Sequence, residues 1–124
     1  MQWILVFLGG GLGAAMRHGV NLAAPRLLGT AFPFGTLAIN VVGSLLMGVV
    51  AGWLVLRGDP SPAWRLFLAT GVLGGFTTFS AFSLEAVQLW QRGQAGLAAL
   101  YVGGSVLLSI AALWLGLALV RPSA

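Results

Sequence analysis

Four stretches of the chain stay apolar long enough to cross a bilayer, and short polar interruptions divide them. They run from about residue 3 to 23, 34 to 56, 64 to 90 and 95 to 120. A hydrocarbon core of roughly 30 Å takes about 20 helical residues. The pattern therefore predicts four transmembrane helices forming one domain over residues 1–124 of an all-α membrane protein. The first is expected to close near Pro25. Arg57-Gly-Asp-Pro-Ser-Pro62 and Gln91-Arg-Gly-Gln94 read as turns by composition. Trp3, Trp53, Trp64, Trp90 and Trp114 fall at or near segment ends, where an aromatic belt meets headgroups.

The third stretch departs from a plain apolar helix. Gly71, Gly74 and Gly75 come first, and then hydroxyls alternate with rings: Phe76, Thr77, Thr78, Phe79, Ser80, Phe82, Ser83. Glycine lowers helix propensity, and threonine competes for backbone hydrogen bonds. Gly74-Gly75 followed by Thr77-Thr78 is thus an expected helix break. Freed carbonyls at membrane depth are tolerated only inside protein. Near a two-fold axis, two copies would bring several of them around one cation. Elsewhere the glycines read as packing surface: Gly9-Gly10-Gly11 and Gly13 in the first helix, Gly43, Gly48 and Gly52 in the second. Gly9 to Gly13 superficially resembles a nucleotide loop, but no strand precedes it.

Composition agrees with the pattern. The chain is 59% hydrophobic and 6% charged, fewer charges than a water-facing surface needs. Its net charge of +4 comes from six arginines against Asp59 and Glu85. In a soluble protein that excess would suggest nucleic acid. Here the arginines sit mostly at segment ends, so anionic headgroups are the expected partner and nucleic acid is not. With no cysteine, thiolate metal sites and disulfides are excluded. The N-terminus lacks a basic leader region, so the first stretch reads as a retained helix.

Charge also bears on orientation. With four spans, Arg57, Arg65 and Arg121 fall on one side and Arg17, Arg26 and Arg92 on the other. Three against three gives no positive-inside bias. Some other cue could orient the chain. The even count favours insertion both ways, with oppositely oriented copies pairing as an antiparallel homodimer.

Candidate chemistry is sparse. His18 is the single histidine and Glu85 the single carboxylate in an apolar stretch, so no catalytic set assembles. Asn40 alone reads first as an interhelical hydrogen bond, worth about 0.6 kcal/mol on average, and second as an amide donor to an anion. Tyr101, Ser105 and Ser109, spaced by four, share one helix face. They serve equally as a polar track or as helix-packing glue. Phe79 and Phe82 share a face too, and a phenyl ring has a positive edge. Rings beside Asn40 and hydroxyl donors would form a site for a small, hard anion, with no fixed charge to trap it. Glu85 falls near an interface or pore mouth. Arg17 reads as a snorkelling or a vestibule charge.

These motifs resemble the CrcB/Fluc family of fluoride channels: Gly10-Gly-Leu-Gly-Ala-Ala-Met-Arg17, Gly35-Thr-Leu-Ala-Ile-Asn-Val-Val-Gly43, and Gly71-Val-Leu-Gly-Gly-Phe-Thr-Thr-Phe-Ser-Ala-Phe-Ser-Leu-Glu85. The resemblance covers nearly the whole chain, and its third motif is the specific one. It implies a dual-topology homodimer with two antiparallel pores in a microbial inner membrane. It implies passive, selective fluoride export that relieves toxicity. By position, Phe79 and Phe82 would be the pore rings and Asn40 the fluoride-contacting amide. Ser80 and Ser83 would belong to the same wall, and Tyr101, Ser105 and Ser109 to the polar track. Gly74 and Thr77 would lend carbonyls to a structural Na+ at the dimer centre. Arg17 and Glu85 would be vestibule residues. Ala81 stands where many members have threonine. A small proton-coupled multidrug exporter is the competing reading, but it needs an acid in its first helix, and there is none. A non-transporting scaffold leaves the polar cluster unaccounted for.

Overall fold

The computed structural model describes residues 1–56 and 62–120. Of the expected turn over residues 57–62, all but Pro62 lies outside the described residues, as does Arg121. Helix α1 spans Gln2–Leu28 and α2 spans Phe34–Leu56. The third span, Pro62–Gln91, is composite. It opens with α3 (Pro62–Trp64), continues as a π-helix over Arg65–Leu73, returns to α geometry in α4 (Gly74–Phe76), and resumes as α5 (Ser80–Gln91). Helix α6 spans Ala95–Val120. Among the described residues four helices are long and apolar enough to cross a membrane, as the hydropathy pattern predicts.

One boundary differs from expectation. Helix α1 passes through Pro25 and ends at Leu28, where Gly29 takes a positive φ of 82°. Proline removes one N–H and so frees only the carbonyl four residues before it. Near an exposed helix end that loss is tolerated, and Pro25 O accepts the Gly29 N–H at 3.0 Å, completing the last turn.

Packing pairs α1 with the third span and α2 with α6. Both contacts rest on glycine. A Cβ on Gly13 would overlap the backbone of Val72 and Phe76, and one on Gly75 would overlap Gly10. Gly48 and Gly116 meet the backbones of Leu113 and Leu45 in the same way. Helices in lipid associate through such close approach, because burying apolar side chains gains little there. Large side chains accordingly point outward, with Phe7 79% and Leu107 71% exposed. Among the described residues Ile39, Leu54, Leu73 and Phe76 are buried nonetheless, and Phe82, Leu89, Ala98 and Tyr101 form a buried cluster between α5 and α6.

Candidate functional site

The site is built around residues 77–79, between α4 and α5. Thr77 has extended backbone (φ −81°, ψ 158°), so the chain leaves helical geometry there. A continuous helix joins each N–H to the carbonyl four residues earlier. Here side chains replace those partners. Thr78 N–H, which would close on Gly74 O, donates to Asn40 Oδ1 at 3.0 Å. Thr78 O, which would receive Phe82 N–H, accepts from Asn40 Nδ2 at 3.0 Å. Gly75 O, which would receive Phe79 N–H, accepts from Arg17 Nε at 3.1 Å. Ala81 N–H, which would close on Thr77 O, donates to Thr78 Oγ1 at 3.1 Å.

Gly74 O, Phe76 O and Thr77 O lose their helical donors, and among the described residues no side chain replaces them. Gly74 O and Thr77 O are the two for which the resemblance implies a sodium ion. Neutral oxygen donors of this kind suit a hard cation. Thr77 directs its own hydroxyl away from that role, donating to Leu73 O at 2.9 Å. Among the described residues no group of three His, Asp or Glu side chains gathers to hold a metal.

A groove of about 310 Å³ runs beside the interruption. Asn40, Phe79, Phe82, Ser105 and Ser109 share its lining, although three separate stretches of sequence supply them. Phe82 is buried against Tyr101, with ring centroids 5.1 Å apart, while Phe79 is 78% exposed at the groove's edge. The two phenylalanine rings lie 5.6 Å apart at 49°. Tyr101 and Ser105 are almost wholly buried, and among the described residues the Tyr101 hydroxyl and Ser105 Oγ have no hydrogen-bond partner. An unmet hydroxyl in an apolar interior costs about 1–3 kcal/mol, so each is a donor in want of an acceptor.

Ser80 and Ser83 lie outside this lining. Ser83 Oγ donates to Phe79 O at 2.9 Å, the back-bond common for serine in membrane helices. Ser80 is exposed, its Oγ 3.5 Å from Thr78 Oγ1.

Glu85 belongs to a second cavity of about 320 Å³, at the end of the bundle where α1 meets α2. Asn21, Thr36, Gln88 and Arg92 share it. Buried Thr36 donates its hydroxyl to Glu85 Oε1. Arg17 does not line this cavity; its Nε is committed to Gly75 O.

Sequence reasoning singled out neither Thr36 nor Thr78 as a site residue. Thr36 had a readable signal, since it precedes Asn40 by one helical turn on a span otherwise almost free of polar groups. Thr78 had less, because its role depends on where α5 begins.

Comparison with known proteins gives the chain a family. Residues 4–117 match the family described as CrcB-like protein, Camphor Resistance (CrcB). The chain is 60% identical over 121 residues to the fluoride-specific ion channel FluC 2 of Nitrobacter hamburgensis, covering 98% of each protein. It is 61% identical to the fluoride-specific ion channel FluC of Rhodopseudomonas palustris strain BisB5, again over 98% of each. The corresponding protein of Methylobacterium nodulans is 59% identical over 98% of this chain and 97% of its own.

Proposed function

The chain belongs to the CrcB-like family, and from that premise we propose that it is a fluoride-selective channel. It conducts F− passively down its gradient out of the cytoplasm, lowering fluoride toxicity, and performs no catalysis. It works in the cell inner membrane as an antiparallel, dual-topology homodimer with a structural Na+ at the centre.

The observation that carries this reading is the pair of buried, unpartnered hydroxyls on one face of α6. Tyr101 and Ser105 lie within hydrophobic surroundings, and Ser105 lines the groove with Asn40 and Ser109. A hydroxyl without a protein acceptor donates to an anion that sheds its water. Asn40 keeps one amide N–H beyond the bond to Thr78 O, since its NH2 carries two. Phe79 and Phe82 supply positive ring edges along the same wall. A wall of neutral donors binds a small anion without holding it, which conduction requires. Arg17 and Glu85 act at the approaches, raising or lowering local anion concentration.

The homodimer and the cation follow the same logic. Phe79 is a large ring left bare beside the groove, which a second copy would cover. Two copies related by a two-fold axis would offer Gly74 O and Thr77 O twice, a small cage of neutral oxygens for Na+. The ion's role is to neutralise converging carbonyl dipoles and tie the two copies together. The exporter reading gains no support. No acid lies in α1, and Glu85 is engaged by Thr36.

The test is flux from liposomes. Purified protein is expected to release fluoride and retain chloride when a potassium ionophore balances charge. Absence of fluoride release would overturn the channel reading, and chloride release would overturn its selectivity.

A further inference from the structure

We propose that Thr78 is a positioning residue that keeps Thr77 O available to a cation, so that the anion-facing wall and the cation site are set by one side chain. This rests on the reading of Gly74 O and Thr77 O as cation ligands given above.

Thr78 lies two residues before α5 and is 9% exposed. Its Oγ1 accepts the Ala81 N–H at 3.1 Å, capping the first turn of α5 from just outside it, as serine and threonine hydroxyls do for backbone donors ahead of a helix. That N–H has one alternative acceptor along the chain, Thr77 O, four residues back. The cap therefore does two things. It starts α5 at a defined residue, which fixes the phase of Phe82. It also withholds from Thr77 O the donor that would draw it into the helix. The two Asn40 bonds act on the same residue, holding Thr78 N–H and Thr78 O outside the helical ladder. Thr78 thus has three groups engaged, and each engagement keeps residues 77–79 open.

Removing only the cap acceptor isolates its contribution. Thr78→Val keeps the shape and loses the acceptor. Ala81 N–H then either closes on Thr77 O, which takes that carbonyl from the cation, or stays unsatisfied. Thr78→Ser keeps the acceptor and loses the methyl. A cation that binds the folded protein raises its stability with concentration according to its dissociation constant. A merely structural defect lowers stability equally at every concentration.

The experiment is thermal unfolding of the purified full-length protein across a Na+ titration at constant ionic strength, balanced with a large organic cation. The expected result is a wild-type midpoint temperature that rises with Na+. In Thr78→Val the Na+ concentration giving half that rise increases about tenfold or more, in keeping with one lost hydrogen bond. In Thr78→Ser it stays within about threefold of wild type, as a serine cap nearly matches threonine. A uniform drop in Thr78→Val, with the Na+ midpoint unchanged, would overturn the role of Thr78 and leave the cation site standing. Indifference of the wild type to Na+ would instead overturn the cation reading beneath it. Should Thr78→Val not fold, Thr78→Ser decides alone, since a tenfold shift there excludes the cap.

Discussion

Asn40 joins helices through residues 38 positions apart in sequence. Its amide takes one donor and one acceptor from a single residue, Thr78, as a neighbouring strand would. An isolated interhelical bond in a membrane averages about 0.6 kcal/mol, because the alternative state finds other partners. Thr78 differs, because it is largely buried and the helical partners of its N–H and C=O are already out of register. Asn40→Ala is therefore expected to lower stability by about 2 kcal/mol, the usual penalty for orphaning buried backbone groups. It should abolish fluoride flux as well. Ser109→Ala, which breaks none of the hydrogen bonds described above, should stay within about 0.5 kcal/mol of wild type. Unfolding of both variants in detergent at fixed Na+ separates the two cases. Equal losses would mean that the two Asn40 bonds hold nothing in place.

At the scale of elements, glycine decides which faces meet. Gly11 and Gly13 are two apart on α1, yet they face different surroundings. A Cβ on Gly13 would collide with the Val72 carbonyl and come within 2.8 Å of Phe76 N, while nothing lies within 4 Å of one on Gly11. Gly13→Ala should cost about 1–3 kcal/mol, since backbone cannot move aside as a flexible side chain can. Gly11→Ala should be neutral or slightly stabilising, because alanine favours the helix. Folded yield and melting temperature of the pair would check this, and equal behaviour would remove the close approach of α1 to the third span. The four spans and their glycine faces were legible in the sequence because hydropathy and small residues are local properties. So were the members of the groove, since Asn40, Phe79, Phe82, Ser105 and Ser109 stand out one by one as polar or aromatic residues in apolar helices. The hydrogen bonds were not legible. Arg17 reaches Gly75 O only because α1 and α4 meet at a particular register. Ser83 looked like a wall residue but back-bonds within α5, which periodicity alone does not reveal. The π turn over Arg65–Leu73 left no compositional mark either.

For the whole molecule, the arginines pose the question of orientation, and the placement of Arg17 sharpens it. Arg17 lies within α1, bonded to the third span at Gly75, and not at a helix end. Among charges flanking the membrane, that leaves Arg26 and Arg92 facing Arg57, Arg65 and Arg121. The balance remains within one charge of even. Insertion follows the Lys/Arg bias of short flanking loops, so a difference this small specifies neither orientation. Dual insertion would give every molecule an oppositely oriented partner, and an antiparallel pair presents the same groove to both sides of the membrane. The chain contains no cysteine, so a single introduced thiol reports its own location. Gln2→Cys places that thiol at the exposed start of α1, away from the groove. A membrane-impermeant maleimide applied to intact cells or right-side-out vesicles is expected to label about half of the molecules, and all of them after permeabilisation. Labelling of nearly all or nearly none before permeabilisation would establish a single orientation. The antiparallel dimer would then fail even if the purified protein conducts fluoride.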